Sequence, residues 1–343
     1  MFAATFREYG GPDMMRWEEL DDPSPAPGEV LVRVLACGLN HSDLDSRAGT
    51  SRWPFTLPWV LGAEFAGTVA EVGCGADGVA VGDPVTAYQQ YACGACPACE
   101  RGRSDLCEGF VVFGTDRWGG YAELVAVPAR ALIPLRSTGE AVTAAAAQCV
   151  VSTAWSMVAS VARICPGETV LVPSASGGVA GAAVQAARIA GARVIASVGA
   201  PEKADAVRAL GADHVFCYRD TPVAEAVRDA TEGRGVDAVV DTTGGPLFGE
   251  HLAAMAPDGR LVTCGAHAGE VVQLDIIELF RNGHRILGFR VASPDEIQTA
   301  LRMTLDGRIR VPVDRTFPLS EAGAAHAYMD ERRHVGKIVL VAG

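Results

Sequence analysis

The stretch "ETVLVPSASGGVAGAAVQAARIAGARVIASV", residues 168–198, alternates between two kinds of structure. An apolar strand (168–175) leads into an alanine-rich helix (177–192) that ends at Gly191, and a second strand (193–198) follows. The next segment, 201–212, begins with proline and ends with glycine, as a helix does. Four further apolar segments alternate with helical ones: "HVFCY", "VDAVVDTT", "GRLVTCG" and "RILGFR" (285–290). This alternation predicts an α/β fold with a doubly wound parallel sheet.

The turn between the first strand and its helix has the spacing Ser174-x-x-Gly177-x-x-Ala180. Inside a β-α-β unit, such a turn lets backbone amides and a helix N-terminus approach a pyrophosphate closely. A tight structural turn without a ligand is the alternative interpretation. We predict a dinucleotide site whose contacts come from Ser176, Gly177, Gly178 and Val179.

The end of the second strand indicates which dinucleotide binds. Sites for NAD usually place an acid there, to accept a hydrogen bond from the 2′-hydroxyl of the adenosine ribose. This chain reads "ASVGAPEK", with no acid before Glu202 and with Lys203 directly after it. Lys203 can pair with a 2′-phosphate, and Tyr218 and Arg219 follow the third strand nearby. We therefore predict NADP(H); a solvated helix lysine is the alternative reading of Lys203.

The N-terminal part of the chain has a different pattern. Short alternating strands, punctuated by glycine and proline, are predicted at 29–39, 67–73 and 82–88. This pattern indicates an antiparallel, barrel-like domain. The tail "GKIVLVAG" is again a strand, and we expect it to rejoin that first domain.

Four of the ten cysteines lie close together, with the spacing C-x2-C-x2-C-x7-C. Four thiolates at such intervals can surround one tetrahedral Zn²⁺ and leave no open position, so the zinc is predicted to be structural. Four independent thiols or a redox pair are the alternatives. The predicted ligands are Cys93, Cys96, Cys99 and Cys107.

Charge and composition narrow the class of protein. A net charge of −12 over 343 residues argues against nucleic acid or an anionic membrane as partner. The N-terminus has no secretory pattern, and the uncharged segment 141–162 is too weakly apolar for a confident membrane span. We expect a cytoplasmic protein in which this segment is a buried helix and turn.

Several motifs together resemble the medium-chain dehydrogenase/reductase superfamily: "ACGLNHSDL" (36–44), "LGAEFAG" (61–67), the four-cysteine lobe, "GGYAE" (119–123), "CVVSTAW" (149–155), the "SASGGVAG" turn, "ALGADHV" (209–215) and "VGKIVL" (335–340). The resemblance implies a GroES-like catalytic domain (1–150 and 291–343) and an inserted Rossmann domain (151–290), with a small-molecule substrate between them. It also implies a homodimer or homotetramer that pairs through "RILGFR". Further cofactor contacts are implied at Thr153, Gly199, Cys264, Gly265, Ala266 and Lys337.

The resemblance fails at the catalytic metal. Zinc alcohol dehydrogenases of this superfamily hold that zinc with two cysteines and a histidine, and the corresponding positions here carry Asn40, Ala63 and Cys149. Cys37 lies three residues too early to replace the first ligand, and we expect it to be a small buried residue. A rearranged zinc site of Cys149, Glu64 and His41 is the alternative. We predict that the catalytic zinc is absent, because one remaining thiolate and one carboxylate are too few ligands.

The "GLNHxDL" pattern resembles the quinone and enoyl reductase branch, whose members transfer hydride to the β-carbon of an activated double bond. Charge that spreads into an enolate needs only hydrogen-bond donors to stabilise it, not a Lewis acid. The predicted donors and proton sources are Asn40, His41 and Ser42, and Tyr88 and Tyr91 are further candidates. The alternatives are an alcohol dehydrogenase with rearranged zinc, or a nucleotide-binding protein with other chemistry, such as a pathway-specific cyclisation.

Overall fold

The structure is a computed structural model that describes all 343 residues. Its contacts divide the chain into two compact units. The first unit contains Met1–Cys149, Ser293–Leu305 and Val313–Gly343, and the second contains Val150–Ala292 and Asp306–Pro312.

The N-terminal part of the chain is mostly strand. Its ten strands are β1 (Phe2–Phe6), β2 (Arg16–Glu19), β3 (Glu29–Gly38), β4 (Trp59–Val60), β5 (Glu64–Val72), β6 (Pro84–Ala87), β7 (Gln90–Tyr91), β8 (Val111–Val112), β9 (Leu124–Pro128) and β10 (Leu132–Pro134). Its three α-helices are α1 (His41–Ala48), α2 (Pro97–Glu100) and α3 (Ala141–Ser156), and α3 continues into a π-helical turn (Met157–Val161).

The second unit alternates strand and helix. Its strands are β11 (Thr169–Val172), β12 (Arg193–Val198), β13 (His214–Cys217), β14 (Val236–Asp241), β15 (Met255–Thr263) and β16 (Arg285–Gly288). Its helices are α4 (Gly178–Ile189), α5 (Ala204–Ala209), α6 (Val223–Ala230), α7 (Phe248–Ala253) and α8 (Ile276–Arg281). The helix predicted at 201–212 consists of a 3₁₀ turn (Pro201–Lys203) followed by α5.

All six strands of the second unit are parallel, in the order β13-β12-β11-β14-β15-β16. Strands β12 and β13 therefore lie on one side of β11, and the later strands β14, β15 and β16 lie on its other side. This confirms the doubly wound sheet, and it places the switch point of the topology beside β11, where open α/β sheets bind ligands.

The chain ends with α9 (Pro294–Leu305), β17 (Val313–Pro318), α10 (Ala322–Asp330) and β18 (Lys337–Val341). The tail strand β18 pairs antiparallel with β3 in a sheet ordered β10-β6-β5-β3-β18-β17, so the expected return of the tail is confirmed. Phe6, Phe65, Phe113 and Tyr121 are fully buried in the core beside this sheet. The α/β fold with a barrel-like first unit is as predicted.

The uncharged helix α3 is part of a segment, Thr138–Val161, that is long and apolar enough to cross a membrane by length and composition. However, 78% of its most apolar window is buried inside the protein. Tight packing against this helix explains Gly38, because a Cβ there would lie 2.1 Å from the Ala145 carbonyl oxygen. This burial is typical of a core helix, which is how the segment was interpreted from the sequence.

Candidate functional site

The predicted phosphate turn (174–180) follows strand β11. Strand β11 ends at Val172, and Ser174 adopts a left-handed conformation with φ of 52°. The turn is tied to the neighbouring strand β12, because the amide of Ala175 donates to the Ser197 carbonyl oxygen at 2.8 Å and that of Ser174 donates to Ser197 Oγ at 3.3 Å. These bonds fix where the following helix begins.

Helix α4 begins directly after the turn, with Gly177 as its extended N-cap residue. The amides of the first helical residues have no acceptor within a helix, and the helix dipole favours an anion at this end. Small residues keep the helix close to the sheet; a Cβ at Gly181 would lie 3.1 Å from Leu210 Cδ1 and 3.3 Å from the Ala175 carbonyl oxygen. The geometry thus suits a pyrophosphate at Ser176, Gly177, Gly178 and Val179.

The end of β12 brings together two residues predicted to bind the adenosine side of the cofactor. A Cβ at Gly199 would lie 2.8 Å from Tyr218 Oη, so the tyrosine ring lies directly beside the glycine. Lys203 lies partly exposed in the 3₁₀ turn that follows, and Arg219 is exposed. Gly199, Tyr218 and Lys203 therefore lie at one end of the sheet, as the 2′-phosphate prediction requires.

The other predicted cofactor residues of the second unit lie elsewhere in that unit. Cys264, Gly265 and Ala266 directly follow β15, and a Cβ at Gly265 would lie 2.1 Å from the Thr242 carbonyl oxygen. Burial, with the charge of Asp241 adding to it, raises the pKa of the Cys264 thiol to about 12, so this cysteine is not a thiolate at neutral pH. Thr153 is buried within α3.

The three predicted catalytic residues lie at the start of α1 in the first unit. Asn40 is the N-cap residue, and its backbone amide donates to Asp43 Oδ2 at 2.9 Å. His41 and Ser42 are the first two helical residues; His41 is half-buried and Ser42 is exposed. Because the Asn40 backbone amide is already used, the donor that remains for a substrate is the side-chain N–H that does not bond Glu64.

A buried ion pair lies beside Asn40. The Lys337 ammonium donates to Glu64 Oε2 at 2.9 Å, to Asn40 Oδ1 at 2.7 Å and to the Leu39 carbonyl oxygen at 2.7 Å. Its side chain is 3% exposed and that of Glu64 is 0% exposed. An ammonium has three donors, and all three are used here. The structure thus gives Lys337 a different role from the cofactor contact that the resemblance implies.

Glu64 is also occupied at both of its oxygens. Oε1 accepts the backbone amide of Cys149 at 2.6 Å, and Oε2 accepts Asn40 Nδ2 at 3.2 Å in addition to Lys337. A zinc ion bound to Glu64 would have to displace a buried ammonium from this carboxylate. Cys149, Glu64 and His41 are also not among the side chains whose ligand atoms converge on a common point. The geometry does not favour the rearranged zinc site.

Other polar residues near the start of α1 form a second buried group. Burial raises the pKa of Asp43 to about 6, although bonds from Asn40 and Tyr121 and the charge of Lys337 oppose that effect. The Tyr121 hydroxyl donates to Asp43 Oδ2 at 3.2 Å. Cys37 is fully buried in the core, as expected, and burial raises its pKa well above the ordinary value.

The two tyrosines considered as proton donors have partners elsewhere in the first unit. The Tyr88 hydroxyl accepts from Gln298 Nε2 at 2.5 Å. The Tyr91 hydroxyl accepts from Arg117 Nη1 at 3.1 Å, and Arg117 is in turn paired with Glu29 at 2.7 Å. These contacts favour structural roles for both tyrosines.

The four clustered cysteines converge. Their sulfur atoms all lie within 4.8 Å of one another, with Cys96 Sγ 3.6 Å and Cys93 Sγ 4.0 Å from Cys99 Sγ. Zn–S bonds of about 2.3 Å put the sulfurs of a tetrahedral site about 3.8 Å apart, so the cluster fits the ion. Backbone amides donate to the sulfurs, from Cys93 to Cys107 at 3.2 Å and from Ala95 to Cys93 at 3.4 Å. Such bonds stabilise thiolates, and similar bonds from the backbone of Cys99 and Glu108 lower the pKa of Cys96 to about 6.

The protein partners of two buried charged side chains were not predicted from the sequence. No protein partner was expected for Lys337, although a single lysine in the apolar segment "GKIVLV" is a signal of a buried, paired ammonium. No role was expected for Asp241, a fully buried acid at the carboxyl end of β14. In both cases the residue type was unusual for its apolar surroundings.

Comparison with known proteins agrees with this architecture. The family described as alcohol dehydrogenase GroES-like domain matches residues 26–137, and the family described as zinc-binding dehydrogenase matches residues 178–306. A 2-haloacrylate reductase from Burkholderia sp is 32% identical, over 99% of each chain. The acryloyl-coenzyme A reductase of Metallosphaera sedula is 31% identical, over 94% of this chain and 95% of its own.

Among solved structures, the crystal structure of an NAD-dependent alcohol dehydrogenase is 38% identical, with a TM-score of 0.94 and full coverage of both chains. Relatives of this kind, aligned over nearly the whole length, fix the family. The chain is therefore a member of the zinc-type alcohol dehydrogenase family of medium-chain dehydrogenases/reductases, and it is an enzyme of the oxidoreductase class.

Proposed function

We propose that this oxidoreductase reduces an activated carbon–carbon double bond, that of an enone, enoyl thioester or quinone, without a catalytic zinc. One observation carries the proposal. Where the zinc alcohol dehydrogenases hold their metal, this chain has Asn40 and Ala63, and the adjacent Glu64 is paired with Lys337 at 2.9 Å. The two reductases described above, which are named for acrylate-type substrates, support the same reading.

The chemistry follows from the missing Lewis acid. Reducing a simple carbonyl, or oxidising an alcohol, concentrates negative charge on one oxygen, which zinc would otherwise stabilise. Conjugate reduction spreads that charge into an enolate, which a few donors can hold. The nicotinamide cofactor supplies the hydride when it is bound. The Asn40 side-chain amide and Ser42 are then the donors to the enolate oxygen, and His41 or Ser42 delivers the proton to the α-carbon.

An assay of NADPH oxidation against a panel of enones, quinones, enoyl thioesters and aldehydes tests the proposed function. We expect the activated alkenes or quinones to react, and we expect a chelator that spares the structural zinc to have no effect. If aldehydes alone react, and if the chelator abolishes the rate, the proposal is wrong.

An alcohol dehydrogenase with a zinc in another arrangement is the second candidate, because the alcohol dehydrogenase structure is 38% identical over the full chain. This candidate requires a second zinc per chain. It also requires the ion pair between Glu64 and Lys337 to break when the metal binds.

We propose NADPH as the preferred cofactor. The chain has no acid between β12 and Glu202, and Lys203 follows Gly199, which lies beside Tyr218 at that end of the sheet. Because the similar solved structure is described as NAD-dependent, fluorescence titration with both cofactors is decisive. We expect tighter binding of NADPH, and we expect Lys203→Ala to weaken NADPH while leaving NADH unchanged. Tighter binding of NADH to the unaltered chain would refute the assignment.

We propose one structural zinc per chain, held by Cys93, Cys96, Cys99 and Cys107. None of the ten cysteines is in a disulfide, which suits the proposed cytoplasmic location. Metal analysis of the purified protein is expected to give one zinc per chain, and Cys96→Ser should lower the melting temperature without altering hydride transfer directly. A zinc content of zero contradicts the ligand assignment, and a content of two contradicts the loss of the catalytic metal.

We propose that two copies of the chain pair through the edge strand β16. Beside this edge, the segment 271–286 exposes apolar side chains that include Val271 (89% exposed) and Phe280 (65% exposed). An unpaired strand edge next to exposed apolar residues is a template for association. Light scattering at micromolar concentration should give a dimer or a tetramer. Phe280→Asp should reduce the mass, whereas Trp53→Asp, at an exposed tryptophan of the first unit, should not; a monomeric unaltered chain would overturn the proposal.

A further inference from the structure

Asp241 is the last residue of β14, and its carboxylate is fully buried at the carboxyl end of the parallel sheet. Oδ2 accepts the backbone amide of Gly244 at 3.1 Å and the hydroxyl of Thr263 at 2.9 Å. Oδ1 accepts both the hydroxyl of Thr243, at 3.1 Å, and its backbone amide, at 3.3 Å. One side chain thus joins the loop after β14 to the last residue of β15.

The loops that follow β14 and β15 also contact each other closely. The amide of Ala268 donates to the Thr243 carbonyl oxygen at 3.0 Å, and that of Gly245 donates to the Gly269 carbonyl oxygen at 3.1 Å. Gly244 and Gly245 both have positive φ, of 63° and 71°. The loops therefore have a specific shape that depends on the carboxylate as well as on the glycines.

The ionisation of Asp241 suits this role. Burial alone would raise its pKa, but contacts with His251, Thr263 and Gly244 outweigh burial and lower the pKa below the ordinary value. His251 Nδ1 lies 3.5 Å from Oδ1, and the imidazole is fully buried too. At neutral pH the group is therefore a carboxylate, which only accepts hydrogen bonds, and the donors of Thr243, Gly244 and Thr263 point toward it.

The topology indicates which half of a dinucleotide these loops face. A dinucleotide crosses an open α/β sheet at the switch point, with its pyrophosphate at the first helix N-terminus. Gly199, Lys203 and Tyr218, the residues for the adenosine side, belong to the β12–β13 side of β11. The loops after β14 and β15 belong to the opposite side, so the nicotinamide half extends toward them.

We infer that Asp241 is a positioning residue for the nicotinamide half of the cofactor. It fixes the loop 242–245 to Thr263, the residue that precedes the segment 264–266, and it acts through these segments rather than by touching the cofactor. The inference rests on the dinucleotide site of the proposed function, but it does not depend on which substrate is reduced.

The test is calorimetric binding of NADPH and NADH and of their nicotinamide-free counterparts, 2′-phospho-ADP-ribose and ADP-ribose. Asp241→Asn turns one acceptor oxygen into a donor that faces other donors. We expect this variant to bind the complete dinucleotide, whichever of the two the unaltered chain prefers, at least about tenfold more weakly. Its affinity for the nicotinamide-free counterpart should equal that of the unaltered chain. Thr263→Val removes one bond only, and it should give a smaller loss with the same selectivity.

Asp237→Asn is the matched control. Asp237 lies near the other end of the same strand, and its carboxylate also accepts a backbone amide, that of Thr169 at 2.7 Å, and pairs with Arg234. This control should change the melting temperature without changing either affinity.

Equal weakening of both ligands would overturn the inference, because Asp241 would then only hold the unit folded. Unchanged binding in both variants would overturn it as well. If Asp241→Asn does not fold, Thr263→Val alone decides between these outcomes. A chain that binds its cofactor but reduces no activated alkene would refute the proposed function and leave this inference standing; a chain that binds neither dinucleotide would refute both.

Discussion

Replacing Lys337 with methionine should lower the free energy of unfolding by about 3–5 kcal/mol. Methionine fills a similar volume but supplies no donor, so the Glu64 carboxylate would lose its ionic partner in a site where its side chain is 0% exposed. The substitution would also remove the bonds to Asn40 Oδ1 and to the Leu39 carbonyl oxygen. Chemical denaturation followed by circular dichroism measures the change.

Two further variants distinguish the contribution of this buried ion pair to stability from that of an exposed ion pair. Adding Glu64→Gln to Lys337→Met removes the uncompensated charge, and it should recover a large part of the lost stability. Arg7→Met breaks an ion pair with Glu18 in which the arginine is about half exposed, and it should cost at most about 1 kcal/mol. If Lys337→Met lowers the free energy of unfolding by no more than Arg7→Met does, the buried ion pair does not stabilise the start of α1.

Replacing Ser42 with alanine should slow turnover by about 10²-fold, the typical effect of losing one donor to a developing oxyanion. Ser42 is exposed at the second position of α1, two residues after Asn40, which Lys337 fixes. The loss should appear in kcat more than in cofactor affinity, because the donor acts on the transition state. Steady-state kinetics on the best substrate of the panel, with a parallel NADPH titration, measures both effects.

Ser137→Ala is the control for this loss, because Ser137 is an exposed serine of the same unit outside α1. It should leave turnover unchanged. His41→Ala distinguishes between two roles for His41. A slower rate with normal NADPH binding indicates that His41 delivers the proton, whereas weaker NADPH binding indicates that it contacts the pyrophosphate. Normal turnover in both Ser42→Ala and His41→Ala would remove these residues from the mechanism.

The elements formed by local patterns could be predicted from the sequence. The strand "RVIASV" lies at 193–198 as predicted, and the phosphate turn leads into a helix that begins at Gly178. The four cysteines converge because short spacing alone keeps them close together. Each of these features depends on residues within about a dozen positions of one another, where propensity and spacing determine the structure.

The partners of the buried charges could not be predicted. Lys337 and Glu64 lie 273 positions apart, and only the pairing of β18 with β3 and of β3 with β5 brings them together. Asp241 and Thr263 meet because β14 and β15 are neighbours in the sheet. A sequence pattern shows that such a residue is unusual, but the fold decides which donor or acceptor it meets.

The position of deuterium in a reduced enone tests the central claim most directly. NADPH that carries deuterium at the transferable position of the nicotinamide should be given to the enzyme with an enone, whose molecule offers both an activated double bond and a carbonyl group. Without a Lewis acid at the carbonyl oxygen, hydride transfer should place the deuterium on the β-carbon and yield the saturated ketone. Deuterium on the carbonyl carbon, in an allylic alcohol, would contradict the account.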